Sequence, residues 1–227
     1  SSFSFFHLPS NLKKLAIIKS LDKKIYYKNL LFKFVKKWPN NKYLSYRLAD
    51  YYKSKKQYVK SIKIYQKLIN IYGKNDRDLF LYASNLDKVG KWKEAKILFL
   101  SLLKRDPENT YTLNYVSYKL ALKNQDLDFS LSLIKKALNL DPNNGFFLDT
   151  IGWVEFKRRN YKEAVFYLEK SAAVLPKSSE ILDHLGDCYL MLGREYEAIF
   201  EWKKAIRYEK DKYLIRNIRK KLIKYEK

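Results

Sequence analysis

Cysteine, glycine, proline and histidine are all scarce in this 227-residue chain, at one, six, five and two copies. A single thiol, Cys188, forms no internal disulfide, so cysteine neither marks nor excludes an oxidising compartment. With so little Gly and Pro, a β-rich or mixed sheet fold lacks the residues its turns normally use. No apolar run approaches the ~18 residues that cross a bilayer as a helix. The opening stretch, SSFSFFHLPS, has no initiator Met and no basic segment leading into a long apolar core. It does not read as a signal peptide, and the chain is read as a mature form or a fragment. There is no Gly-rich phosphate loop, no CxxC or HExxH, and no Ser or Cys nucleophile with a base beside it. The expectation is therefore no catalytic residue, no cofactor and no metal.

Abundant Lys, Leu, Ile and Tyr instead point to helices joined by short turns. The net charge of +23 is uneven. Residues 1–75 carry 18 Lys/Arg against 2 Asp/Glu, and residues 207–227 carry 9 against 3, while the middle is close to neutral. Basic ends attract nucleic acid or anionic lipid head groups. They also arise where Lys, Asn, Ile and Tyr are all common for compositional reasons. In KKIYYKNLLFKFVKKW (23–38) one reading is an aromatic and phosphate-binding surface. The other is an amphipathic helix with Ile25, Leu30, Leu31, Phe34 and Val35 in a core and solvated lysines.

Self-similarity organises the rest. FFLDTIGWVEFKRRNYKEAVFYLEKSAAVLP aligns with EILDHLGDCYLMLGREYEAIFEWKKAIRYEK at an offset of 34. The same frame runs back through the chain. A small residue recurs at Ala49, Ala83, Ser117, Gly152 and Gly186, and a second at Ser61, Ala95, Ser130, Ala164 and Ala198. A bulky residue follows at Tyr65, Phe99, Ile134, Leu168 and Trp202, and turns close at Pro39, Gly73, Pro107, Pro142 and Pro176. The spacing is 34 except for one 35, where KNQDLD adds a loop residue. A small residue lets two helices approach, and the bulky one fills the space beside it. Asp–Pro puts an acidic group and a rigid turn ahead of the next helix.

With the aromatics at Tyr58, Trp92 and Tyr161, KEA at 93–95 and 162–164, and DP at 106–107 and 141–142, the pattern resembles the tetratricopeptide repeat. The resemblance implies an all-α, right-handed superhelical solenoid of stacked helix–turn–helix units. Residues 1–41 form a degenerate first unit, followed by units 42–75, 76–109, 110–144, 145–178 and 179–212. Residues 213–227 form a capping helix, apolar at Leu214, Ile215, Ile218, Leu222 and Ile223. It also implies a concave groove with candidate partner-binding residues Tyr46, Asp50, Phe80, Tyr111, Tyr118, Phe146, Asp149, Trp153, Phe156, Asp183 and Asp187. This surface is aromatic in the middle and acidic towards the C-terminus, although the chain is basic, and it suits a segment with apolar anchors and Lys or Arg. A carboxylate clamp would need basic groups where Tyr46, Asp50, Leu81 and Asp149 stand. The competing reading is that Phe146, Trp153 and Phe156 pack only against the neighbouring unit.

The cluster in EILDHLGDC (180–188) falls into this frame. Asp183 and Asp187 take groove positions, and Leu185 and Gly186 serve packing. His184 lies beside the groove line, and Cys188 is a structural thiol. Residues 113–206 are also similar to the C-terminal repeats of a family of proteobacterial envelope proteins, through LNYxxY, LDTIGW, DHLGD and GREYEAIFEWKKA. Ser117 and Cys188 stand where that family usually has Gly and often has Ala. Some members are lipoproteins, and some bring a processing protease to its substrates. That resemblance implies the cell envelope or periplasm, against a cytoplasmic alternative, and a processing protease or its substrate as partner. The function expected is a non-catalytic protein-interaction scaffold or adaptor. The alternative is nucleic-acid or anionic-membrane binding through the basic N-terminal third.

Overall fold

The computed structural model describes residues 24–225. His7 and most of the degenerate unit 1–41 lie outside them. Among the described residues there are twelve α-helices and no strand, so the chain is all-α. It divides into two compact units, Ser1–Leu102 and Leu103–Lys227.

The first unit holds α1 (Lys24–Lys37), α2 (Lys42–Ser54), α3 (Tyr58–Tyr72), α4 (Asp76–Lys88) and most of α5 (Trp92–Arg105). Helix α1 is amphipathic: Leu31 and Phe34 are buried, with Leu30 and Val35 half-buried. Ile25, grouped with the core in the sequence reading, is 78% exposed at the helix start. The second unit holds α6 (Thr110–Leu122), α7 (Leu127–Leu140), α8 (Gly145–Lys157), α9 (Tyr161–Val174), α10 (Ser179–Met191), α11 (Glu195–Tyr208) and α12 (Lys212–Tyr225). Hairpins α6–α7, α8–α9 and α10–α11 stack in order, and α12 packs on α11.

The small residues sit where two helices touch. Were a Cβ added to Gly152, it would lie 2.6 Å from Leu168 Cγ; at Gly186 it would lie 2.5 Å from Trp202 Nε1. Where the frame substitutes Ser117, the crossing survives because hydroxyl chemistry replaces bare backbone. Ser117 Oγ donates to the Ser130 carbonyl at 2.9 Å, and Ser130 Oγ donates back to the Ser117 carbonyl at 2.8 Å.

Two repeating devices hold the helix ends. The first helix of four successive hairpins is capped by asparagine. The side-chain oxygens of Asn41, Asn75 and Asn109 accept from the backbone N–H three residues on, each at 3.0 Å. Asn144 accepts from Phe146 and Phe147. The Asp of each DP pair acts one step back: Asp106 and Asp141 accept from the side-chain amides of Asn109 and Asn144. The turn inside each hairpin uses one left-handed residue, at Lys56, Gly90, Asn124, Arg159 and Gly193. The next amide closes a six-residue loop onto the helix behind it, as in Asn160 N–H to the Glu155 carbonyl at 2.9 Å. The extra residue of the third unit sits in this turn, where Asp126 is also left-handed.

Helix α12 buries Ile218 and Leu222, with Leu214 and Ile215 half-buried. Ile223 is 81% exposed, so the apolar stripe of the cap is narrower than the sequence suggests.

Candidate functional site

The expected groove residues divide between the two units. In the first unit Asp50 is exposed, and Tyr46 and Phe80 are half-buried. The Tyr46 hydroxyl donates to Asp78 Oδ2 at 3.0 Å, and burial, with the bond to that carboxylate, pushes it up to about 12. Phe80 meets Phe99 edge-on, with ring centroids 5.3 Å apart.

The other eight belong to the second unit, two on α6, four on α8 and two on α10. Tyr111 of α6 and Phe146 of α8 are the second residues of their helices and stand 79% and 60% exposed. Deeper in, the residues interlock. Trp153 is buried, lying face to face with Phe156 at 4.7 Å and with the His184 ring at 4.0 Å. The Lys157 ammonium lies 4.6 Å from the centre of the Trp153 ring. Asp149, also buried, pairs through Oδ1 with His184 Nδ1 at 2.9 Å. Tyr118 of α6 reaches across α8 to donate to Glu180 of α10. The aromatics thus separate: Phe146 projects outward, whereas Trp153 and Phe156 build the floor. The Trp153 indole N–H is buried with no hydrogen-bond partner among the described residues.

His184 is itself buried, stacked on Trp153 and bonded to Asp149. Burial is the largest single influence and opposes its protonation. The Asp149 carboxylate bonded to it, with Glu180 and Asp183 nearby, more than offsets that and raises its pKa. Sequence proximity could not show the Asp149–His184 pair, because its members are 35 residues apart; they meet because successive units stack at an offset of 34, which brings His184, one position past the equivalent of Asp149, alongside it.

The two acidic residues at the C-terminal end already have a cation. Lys221 Nζ of α12 lies 2.7 Å from Asp183 Oδ1 and 2.6 Å from Asp187 Oδ1. Asp187 also accepts from Trp202 Nε1 at 3.2 Å. Burial, the dominant influence, pushes the Asp183 carboxyl above its ordinary value even though Lys221 works the other way. The acidic character expected at this end is reduced from within by α12, one ammonium being shared between two carboxylates. Cys188 is buried, and burial pushes its thiol well above the ordinary range, the environment of a packing residue.

Comparison with known proteins agrees with this architecture. Residues 43–75 match the family model of the tetratricopeptide repeat. A TPR repeat-containing protein of Pseudomonas aeruginosa is 30% identical over 86 residues, covering 38% of this chain and 14% of the relative. The human mitochondrial import receptor subunit TOM70 is 30% identical over 105 residues, covering 46% of this chain and 17% of the relative. The chain therefore spans less than a quarter of the length of the curated relatives it matches. A tetratricopeptide repeat protein from Parabacteroides merdae superposes with a TM-score of 0.75 at 18% identity, over 95% of this chain and 86% of the other. The offset of 34, the small-to-bulky crossings and the stacked hairpins converge with these matches: residues 43–75 form a tetratricopeptide repeat, and the all-α fold is that of the tetratricopeptide-repeat structures it superposes on.

Proposed function

We propose that this protein is a non-catalytic scaffold that binds a segment of another protein along the groove faces of its first-position helices. The observation that carries this reading is the pair Tyr111 and Phe146. They are large, aromatic and exposed at equivalent positions of neighbouring helices, above a rigid floor of Tyr118, Asp149, Trp153, Phe156 and His184. Exposed aromatics on a fixed backbone give large contact area at low conformational cost, as interface hot spots do. Asp183 and Asp187, held by Lys221, border the face; Tyr46, Asp50 and Phe80 are the corresponding candidates of the first unit. A processing protease or its substrate is the specific partner that the resemblance over 113–206 supplies.

The test is capture from native extract, with and without nuclease treatment, comparing wild type with Tyr111→Ala/Phe146→Ala. Both rings are exposed, so the double variant keeps the floor intact. A protein recovered with wild type and lost with the variant is the expected result. Equal recovery by both refutes the assignment of these rings. Recovery only of nuclease-sensitive material moves the function to the basic N-terminal third.

A further inference from the structure

At the C-terminal end of the second unit, α8, α10, α11 and α12 enclose a cleft of about 420 Å³. Its walls are Phe156, Leu190, Met191 and Trp202, and its α12 side carries Lys220, Lys221 and Lys224. Lys221 is committed to Asp183 and Asp187. Lys220 and Lys224 are exposed, and neither has a carboxylate partner among the described residues; Lys224 covers the Tyr225 ring at 4.9 Å. The whole of α12, KYLIRNIRKKLIKY, contains six Lys or Arg and no acidic residue. The one acidic group among the residues lining the cleft, Asp187, accepts through Oδ1 from both Lys221 and the Trp202 indole. An apolar cavity of ligand-binding size therefore opens under two unpaired cations.

We propose that this cleft binds an acidic peptide segment, with one aromatic or aliphatic side chain in the cavity and flanking carboxylates on Lys220 and Lys224. Met191, 48% exposed and unbranched, can adapt to the shape of the anchor, and Trp202 supplies the fixed wall. The carboxylates gain charge-assisted contacts with Lys220 and Lys224, while the lining carboxylate, Asp187, is paired with Lys221. This inference rests on the reading that the second unit binds a protein segment, but it reverses the partner charge that the sequence implies for this end. A Lys- or Arg-bearing segment finds Asp183 and Asp187 occupied and meets the α12 cations instead.

The test is fluorescence anisotropy on the full chain with three labelled probes: a short peptide with one Phe among Glu residues, its Glu→Lys counterpart and its Phe→Ala counterpart. The Glu/Phe peptide is expected to bind wild type, and Lys220→Glu/Lys224→Glu to weaken it by roughly tenfold or more, as expected where two charge-assisted contacts become repulsive. Both counterpart peptides are expected to bind more weakly to wild type, and Tyr111→Ala/Phe146→Ala to bind the Glu/Phe peptide undiminished. Circular dichroism and the milder Lys220→Ala/Lys224→Ala variant separate lost contacts from lost fold. Equal or tighter binding of the Lys peptide, no dependence on Lys220 and Lys224, or no binding at all overturns the proposal. Loss confined to Tyr111→Ala/Phe146→Ala also overturns it while leaving the groove reading intact. Preferential binding of phosphatidylserine vesicles over the peptide, lost in the Lys→Glu variant, assigns the cleft to a membrane and overturns it too.

Discussion

Replacing Gly186 by alanine sets two effects of known sign against each other. Alanine in a helix interior is favoured over glycine by ~1 kcal/mol. Against this, the new methyl carbon would stand 2.5 Å from Trp202 Nε1, 2.6 Å from Trp202 Cδ1 and 3.1 Å from the Ala198 carbonyl oxygen. Trp202 is completely buried among Leu182, Leu185, Ala198 and Ile218, so the indole cannot swing into solvent. Either α10 and α11 separate or the ring tilts and loses its 3.2 Å bond to Asp187. Overpacking of this kind costs ~1–3 kcal/mol, and a lost hydrogen bond adds ~1 kcal/mol. The net is a destabilisation of ~1–3 kcal/mol, a fall in Tm of ~3–10 °C for a chain of this size. Thermal unfolding followed by circular dichroism measures it. The chain supplies its own control, because Ala83 and Phe99 are both fully buried at the equivalent crossing of the first unit. Gly186→Ala combined with Trp202→Phe should therefore cost less than the sum of the singles, with a coupling of ~0.5–3 kcal/mol. A Gly186→Ala protein more stable than wild type, or strict additivity in the double variant, would refute the close-approach argument.

Two further outcomes follow from local geometry. Arg159 is exposed and left-handed at φ 67°, a conformation that costs a non-glycine residue ~1–2 kcal/mol. Arg159→Gly relieves that and gives back ~0.5–1 kcal/mol to the unfolded chain, so stability should rise by about 0.5–1 kcal/mol, with Gly90→Ala falling, as read by thermal melts. The raised pKa of His184 means that the folded state binds its proton more tightly than the unfolded state does. The stabilisation is complete below the unfolded value of 6.5 and is lost as pH rises through the folded one. Urea midpoints should fall over that window in wild type and lose this component in His184→Gln; an unchanged slope would remove His184 as its source.

The helical frame was legible because periodicity and the small-to-bulky alternation are local properties. The crossings Gly152–Leu168 and Gly186–Trp202 could be named from spacing alone. The capping asparagines and left-handed turn residues were equally visible at the same offset, since Asn41, Asn75 and Asn109 recur every 34 residues. The candidate site was legible as a set of positions but not as chemistry. Whether Asp149, Asp183 and Asp187 are available depends on His184 and Lys221, which lie 34 to 38 residues away. Lys221 looks like any surface lysine of a basic helix until α12 is placed against α10.

In a stack where each hairpin touches only its neighbours, loosening can start at one end and travel unit by unit. The bond from Tyr118 to Glu180 skips a hairpin and links the first and third of the second unit. It adds a next-nearest-neighbour term to the cooperativity of unfolding. The three hairpins it spans gain a reason to open together, so partly frayed intermediates are suppressed in the part of the chain that carries the exposed aromatics.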